Sequence, residues 1–226
     1  MIIIKIGIID SGLGGISVLN ELINQRKYAN YVLFLDYKFN PFGEKSEEEL
    51  LNRLHKAIKF LKDKGCNQIV IACNTLSVVA LRNNIKDVIT PIYFFKKELI
   101  TNFDDDSILL ATDFTINSNI YNYKGMPFSK LVRYIEGNNS ENIDTLLNNI
   151  KKYNKVFLGC THFNLIKNKL KNVKIFDSGT ILANNLEVSN SILNVKIYIT
   201  KTNKNIKNHL LKHLHINQFV IKCINI

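Results

Sequence analysis

The sequence predicts an α/β protein made of two pseudo-symmetric lobes, with mainly parallel sheets facing each other across a cleft. Three observations predict it. Short strand-like runs alternate with amphipathic helical stretches along the 226 residues, the pattern of parallel sheets with helical crossovers. The series restarts near residue 107. Two short phrases also recur: "IIDSG" at 8–12 returns as "IFDSG" at 175–179, and "ACNT" at 72–75 returns as "GCTH" at 159–162. Their order is reversed between the halves, so this is not a simple tandem repeat. Asp-Ser-Gly is also ordinary turn chemistry, so the echoes count only with the alternation.

Each element has its own signal. Ile2–Ile9 reads as a strand stopped by Asp10-Ser11-Gly12, and "GISVLNELINQR" has helical spacing. "YVLFLD" at 31–36 is the second strand. A helix is expected over 46–65, because Ser46 is a candidate N-cap with Glu49 three residues on and Gly65 past the end. "NQIVIAC" is the third strand, and "TLSVVALRNNI" a helix. In the second series, "SILLATD", "KVFLGC" and "VKIFDSG" read as strands. "FSKLVRYIEG", "NIDTLLNNIKKY", "NLIKNKLKN" and 180–193 read as helices. "VKIYIT" and "FVIKCINI" are strand-like and need partners, so the tail is expected to return to the first lobe. The lobes are therefore expected to be 1–92 plus 195–226, and a shortened 93–194, with the crossing near Pro91.

Composition excludes several classes. With 46% hydrophobic and 22% charged residues, the chain is globular rather than disordered. "MIIIKIGII" is too short to span a bilayer and is not read as a signal peptide. No later run is long enough for a membrane helix. The four cysteines are Cys66, Cys73, Cys160 and Cys223. Without an export signal they are expected as free thiols in the cytoplasm, and their spacing lacks the C-x-x-C of zinc knuckles. Cys66 and Cys223 read as buried small hydrophobes. Lys and Arg exceed Asp and Glu by 30 to 19, giving a net charge of +11. The lysines are scattered over helix faces and the tail, so nucleic acid is not expected as a partner. His55, His209, His213 and His215 read as surface or helix-face residues.

Cys73 and Cys160 are different. Each follows an apolar run and precedes small polar residues, and strand C-terminal ends are where open α/β sheets bind ligands. If the sheets face each other, both thiols point into one cleft. One thiolate can then take a proton from a carbon while the opposite thiol delivers one to the other face. That chemistry inverts the carbon and needs neither cofactor nor metal. A carbon acid beside a carboxylate is very weak, so the site must offer oriented donors in a water-poor cleft. Ser11, Asn74, Thr75 and Thr161 are candidates. Asp10 and His162 are placed to assist the thiols by hydrogen bonding and proton exchange.

These residues resemble the aspartate/glutamate racemase superfamily, most closely the bacterial glutamate racemases. "GIIDSGLGGISVLNEL" at 7–22 is similar to that family's opening strand, glycine turn and helix. "LDYKFNPFGEKSEEE", "ACNTLS", "ATDFTINSNIY", "LGCTHFNLI" and "IFDSG" follow in the family's order. The resemblance implies cofactor-independent interconversion of L- and D-glutamate. It makes Cys73 the acid/base for the D-enantiomer and Cys160 the one for the L-enantiomer, helped by Asp10 and His162. "LVRYIEGN" resembles a segment carrying an assisting glutamate, which maps to Glu136. Asp10, Ser11, Pro41, Phe42, Gly43, Asn74, Thr75, Thr115, Thr161 and His162 would line the substrate site. The family also implies a homodimer in the bacterial cytoplasm that supplies D-glutamate for peptidoglycan. Phe42 departs from the family's Tyr, Leu35 and Ala111 from its Gly, and Asn164 from its Pro. The alternatives are a racemase acting on aspartate or a hydantoin, and a non-catalytic relative that binds a nucleic acid or protein.

Overall fold

The structure, a computed structural model, describes residues 4–188 and 192–226. Strand β1 (Lys5–Asp10), helix α1 (Leu13–Asn24) and strand β2 (Asn30–Leu35) come first. A 3₁₀ turn at Phe42–Glu44 precedes α2 (Glu47–Asp63), β3 (Gln68–Ile71), α3 (Asn74–Arg82) and α4 (Pro91–Asn102). The second series is β4 (Ser107–Ala111), α5 (Asp113–Asn117), β5 (Gly125–Pro127), α6 (Ser129–Glu136), α7 (Ser140–Asn148) and β6 (Lys155–Leu158). A 3₁₀ helix at Thr161–Lys169 leads to β7 (Lys174–Asp177) and α8 (Ser178–Asn185). The chain continues through β8 (Asn194–Ile199), α9 (Lys204–His213) and β9 (Val220–Cys223).

Among the described residues the strands form two sheets, ordered β3-β1-β2-β8-β9 and β5-β4-β6-β7. Their named pairings are all parallel. The α/β class and the parallel sheets are as the sequence predicts. Both tail strands join the first sheet.

Parallel strands bury both faces, so their sequences run nearly continuously apolar. In β1, Ile6 and Ile8 pack with Leu13, Ile16, Leu19 and Leu22 of α1, while Ile9 joins Phe34, Ile71 and Leu50, Leu54 and Leu61 of α2 on the opposite face. In the second sheet, Leu110, Val156 and Leu158 meet Leu131, Ile135, Ile143 and Leu147 of α6 and α7. On its other face, Leu109 and Phe157 meet Phe95 and Leu99 of α4, Ile181 of α8 and Val78 of α3. That last cluster joins elements flanking both sheets. The Ser46 capping box of α2 forms as expected: its hydroxyl accepts from Glu49 N at 3.2 Å, and Glu49 Oε2 accepts from Ser46 N at 3.0 Å.

Several local expectations are corrected. The helix expected over 164–172 is a 3₁₀ helix starting at Thr161. Its first turn closes from Phe163 N to Cys160 O, and the Thr161 carbonyl accepts from the Ser17 hydroxyl of α1 at 2.9 Å. The helix expected over 180–193 starts earlier and ends at Asn185; its residues 189–191, like Ile2 and Ile3 of the first strand, lie outside the described residues. α4 and β5 had no counterpart in the sequence reading. Cys66 is buried in the cluster with α2 and β3, but Cys223 is exposed, on a strand at the edge of its sheet.

Candidate active site

The two cysteines leave β3 and β6, one from each sheet, and line one cavity. Ser11, Pro41, Phe42, Gly43, Glu44, Thr75, Thr112, Ser129, Val132 and His162 complete its wall. Cys73 and Cys160 are 7% and 6% exposed, so water reaches neither freely. The cavity measures about 10 Å³, room for about one water.

Cys73 lies two residues past the end of β3 and is the N-cap residue of α3. Burial pushes its thiol well up, and the nearby carboxyl of Asp10 and the sulfur of Cys160 push it further. Asp10 ends β1, fully buried. One oxygen accepts from Gly12 N at 3.1 Å and the other from the Thr161 hydroxyl at 3.0 Å. Burial raises its carboxyl, although the charge of His162 opposes this.

Cys160 and His162 line the same wall of the cavity, thiol beside imidazole. His162 Nε2 donates to Glu136 Oε1 at 2.8 Å. Burial alone would lower the imidazole, but Cys160 and Glu136 outweigh it and raise His162 well above the ordinary histidine range. Glu136 also balances opposing effects. Burial would raise it, but His162, the Leu13 N–H and the Asn40 amide hold it below the usual value. The Cys160 side therefore carries an imidazole–carboxylate pair, while Cys73 has the Asp10 carboxyl nearby. Gly14 makes this closeness possible: a Cβ there would lie 2.2 Å from Thr161 Oγ1 and 2.9 Å from His162 Nδ1.

The raised His162 has a pH consequence. A folded-state value above the unfolded one stabilises the fold fully below about pH 6.5, and that contribution is lost as pH climbs through the folded value. The urea midpoints of the wild type and His162→Gln should therefore differ most below about pH 6.5 and draw together as pH rises through the folded-state value. A gap that widens with pH would contradict the assignment.

Of the residues expected from sequence, Ser11, Pro41, Phe42, Gly43, Thr75, Cys73, Cys160 and His162 line the cavity. Asp10, Thr161 and Glu136 stand directly behind it, bonded as described. Thr115 joins a hydroxyl cluster, with Thr75 to Thr112 at 2.9 Å and Thr112 to Thr115 at 3.0 Å. The Asn74 amide is held between sheets: its Nδ2 donates to Tyr121 Oη at 2.7 Å, and its Oδ1 accepts from Ser178 Oγ at 2.9 Å. The sequence reading missed Asn40, Glu44, Thr112, Tyr121, Ser129, Val132 and Ser178. Only Thr112 had a usable signal, as the cap of α5, accepting from Thr115 N. Among the described residues, no three His, Cys, Asp or Glu side chains gather as a metal site. No helix there is long and apolar enough to cross a membrane.

Two parallel α/β units with a cysteine from each at one cavity suit proton transfer at opposite faces of one carbon, the chemistry of the racemase class of isomerases. A glutamate racemase of Campylobacter concisus is 34% identical over 209 residues, covering 78% of this chain and 80% of its own. The chain belongs to the glutamate racemase family. No family model matches it. Its fold is shared by a glutamate racemase of Bacillus anthracis, with TM-score 0.81 at 22% identity over 98% of this chain and 97% of that one. It is also shared by one of Francisella tularensis crystallised with D-glutamate, with TM-score 0.80 at 23% identity and the same coverage.

Proposed function

We propose that this chain interconverts L- and D-glutamate without a cofactor, by proton transfer between the α-carbon and the thiols of Cys73 and Cys160. The observation that carries this reading is the convergence of the two sulfurs, from separate sheets, on one cavity. In the L-to-D direction Cys160 takes the α-proton, with the His162 imidazolium beside it. Cys73, held as the thiol by burial, gives its proton to the opposite face. The sulfurs end with their protonation exchanged, so no other reactant is consumed. The carbanion's charge falls near the hydroxyls of Ser11, Thr75 and Thr112 in a site that excludes water.

A cavity with room for one water cannot admit glutamate as it stands, so the lobes part for each turnover. The proposed lobes are 1–92 plus 195–226, and 93–194. Glu44 and Arg133 pair across the mouth and would separate on opening. The family resemblance supports glutamate over aspartate, action as a homodimer, and supply of D-glutamate to peptidoglycan in the cytoplasm.

The test is incubation with L-glutamate in deuterated water. Loss of the α-proton signal together with growth of the D-enantiomer is expected. No exchange with glutamate, but exchange with aspartate or another amino acid, would reassign the substrate. No exchange with any amino acid would overturn the reading.

A further inference from the structure

We propose that Asn40 is a positioning residue for proton transfer on the Cys160 side; this rests on the assignment of Cys160 and His162 above. Asn40 follows β2, and Glu136 ends α6, so the contact joins the two sheets' layers. Asn40 Nδ2 donates to Glu136 Oε1 at 2.9 Å. The same oxygen accepts from Leu13 N at 2.9 Å and from His162 Nε2 at 2.8 Å. A single carboxylate oxygen thus receives three donors, and Asn40 is the only side chain among them supplied by the first sheet's layer. The route runs from Asn40 through Glu136 to the imidazole and on to the Cys160 sulfur. Asn40 touches neither thiol and is absent from the cavity wall.

Two further observations separate this from ordinary packing. Asn40 Oδ1 is buried and has no hydrogen-bond partner among the described residues. The amide therefore reaches Glu136 with its nitrogen while its oxygen is left stranded. Moreover, the contact lies directly over Gly12, where a Cβ would sit 2.7 Å from Asn40 Nδ2 and 2.2 Å from Glu136 Oε1. The room for the pair is kept by a residue without a side chain. A stranded buried acceptor tolerated for the sake of one carboxylate contact is a local conflict of the kind that functional positions carry.

The test is Asn40→Leu, which keeps the volume, removes the donor and also removes the orphaned acceptor. The urea midpoint should fall only slightly, because Glu136 Oε1 keeps the Leu13 and His162 donors and the orphaned acceptor is gone. Turnover should fall roughly tenfold, the weight of a hydrogen bond to a charged group. Because enantiomers are equal in free energy, kcat/KM must fall equally in both directions. The isotope effects need not. With α-deuterated L-glutamate, whose deuteron Cys160 removes, the primary isotope effect on kcat/KM should rise. With α-deuterated D-glutamate, whose deuteron Cys73 removes, it should shrink.

A second arm needs no substrate. The His162 imidazole faces Cys160, Glu136 of α6 and Asp10 of β1, with His213 of α9 beyond Glu136. The Asn40 donor stabilises the Glu136 charge that is left uncompensated when the imidazole loses its proton, so the nitrogen resonances should titrate at higher pH in Asn40→Leu than in the wild type. Asn40→Asp, which keeps the shape but sets a carboxylate against Glu136, should be worse than Leu and serves if the Leu variant does not fold. Unchanged isotope effects, an opposite asymmetry, or an unmoved imidazole titration would each overturn the proposal. If the wild type exchanges no α-proton from any amino acid, the assigned reaction fails instead, and the imidazole titration still decides whether Asn40 acts through Glu136.

Discussion

Cys73→Ala and Cys160→Ala should each abolish racemisation of glutamate, with a loss of roughly 10⁴-fold or more, since each removes one of two obligatory proton carriers. Neither change should disturb the fold much: both side chains are small, and each removes one buried sulfur from a wall otherwise unchanged. The two variants should nonetheless differ from each other. Cys160→Ala keeps Cys73, which faces the α-proton of the D-enantiomer. It should still wash deuterium into D-glutamate while leaving L-glutamate untouched. Cys73→Ala should do the reverse. Each should also eliminate water or HCl from an analogue of the enantiomer it can still deprotonate. Full racemisation by either variant, or exchange of both enantiomers by one, would end the two-thiol assignment. The electrostatics predict a further asymmetry. Cys73 is buried near the Asp10 carboxyl, whereas Cys160 has His162 and Glu136. Deprotonation by Cys160 is therefore the step with a charged helper.

How far the sequence went follows from which interactions are local. The strand runs, the Ser46 capping box and the Asp10 turn are encoded within a few residues of themselves, and all stand in the structure. The two cysteines were legible because a strand end is a local feature, and parallel sheets place such ends at one rim. Asn40 and Tyr121 were not legible. Their partners, Glu136 and Asn74, lie 96 and 47 residues away, with no periodicity linking them. Cys223 was misplaced because its apolar neighbours "FVIKCINI" read as a core strand, and only the sheet order makes β9 an edge. The 3₁₀ helix after Cys160 was read as α because "NLIKNKLKN" has helical spacing. The contact that ties its start, Ser17 to Thr161, spans 144 residues.

The largest stability effect should come from a pair that the sequence also left silent. Arg53 of α2 is one charge in a helix full of them, yet it is buried, and its Nε and Nη2 reach Asp36 Oδ2 and Oδ1 at 2.7 and 3.0 Å. The Thr200 hydroxyl donates to the same Asp36 Oδ1 at 2.7 Å, and Arg53 lies over the Phe39 ring at 4.4 Å. Side-chain exposures of 5% and 0% leave little water to take over if one partner goes. Arg53→Met should therefore cost about 3–5 kcal/mol in urea unfolding, because it strands a buried carboxylate, and Asp36→Leu should cost a similar amount by stranding the guanidinium. The double variant should lose much less than the sum, since it removes both charges and leaves an apolar pair in their place. The loss should reach the site as well. Asp36 N donates to Asp10 O at 2.9 Å, and the stretch from Asp36 leads directly to Asn40, Pro41, Phe42 and Gly43. Each single variant should thus lower turnover even where it remains folded, while the double variant should recover stability before activity. Additive losses, or a single change costing under about 1 kcal/mol, would mean that the pair does not brace the segment carrying the cavity wall.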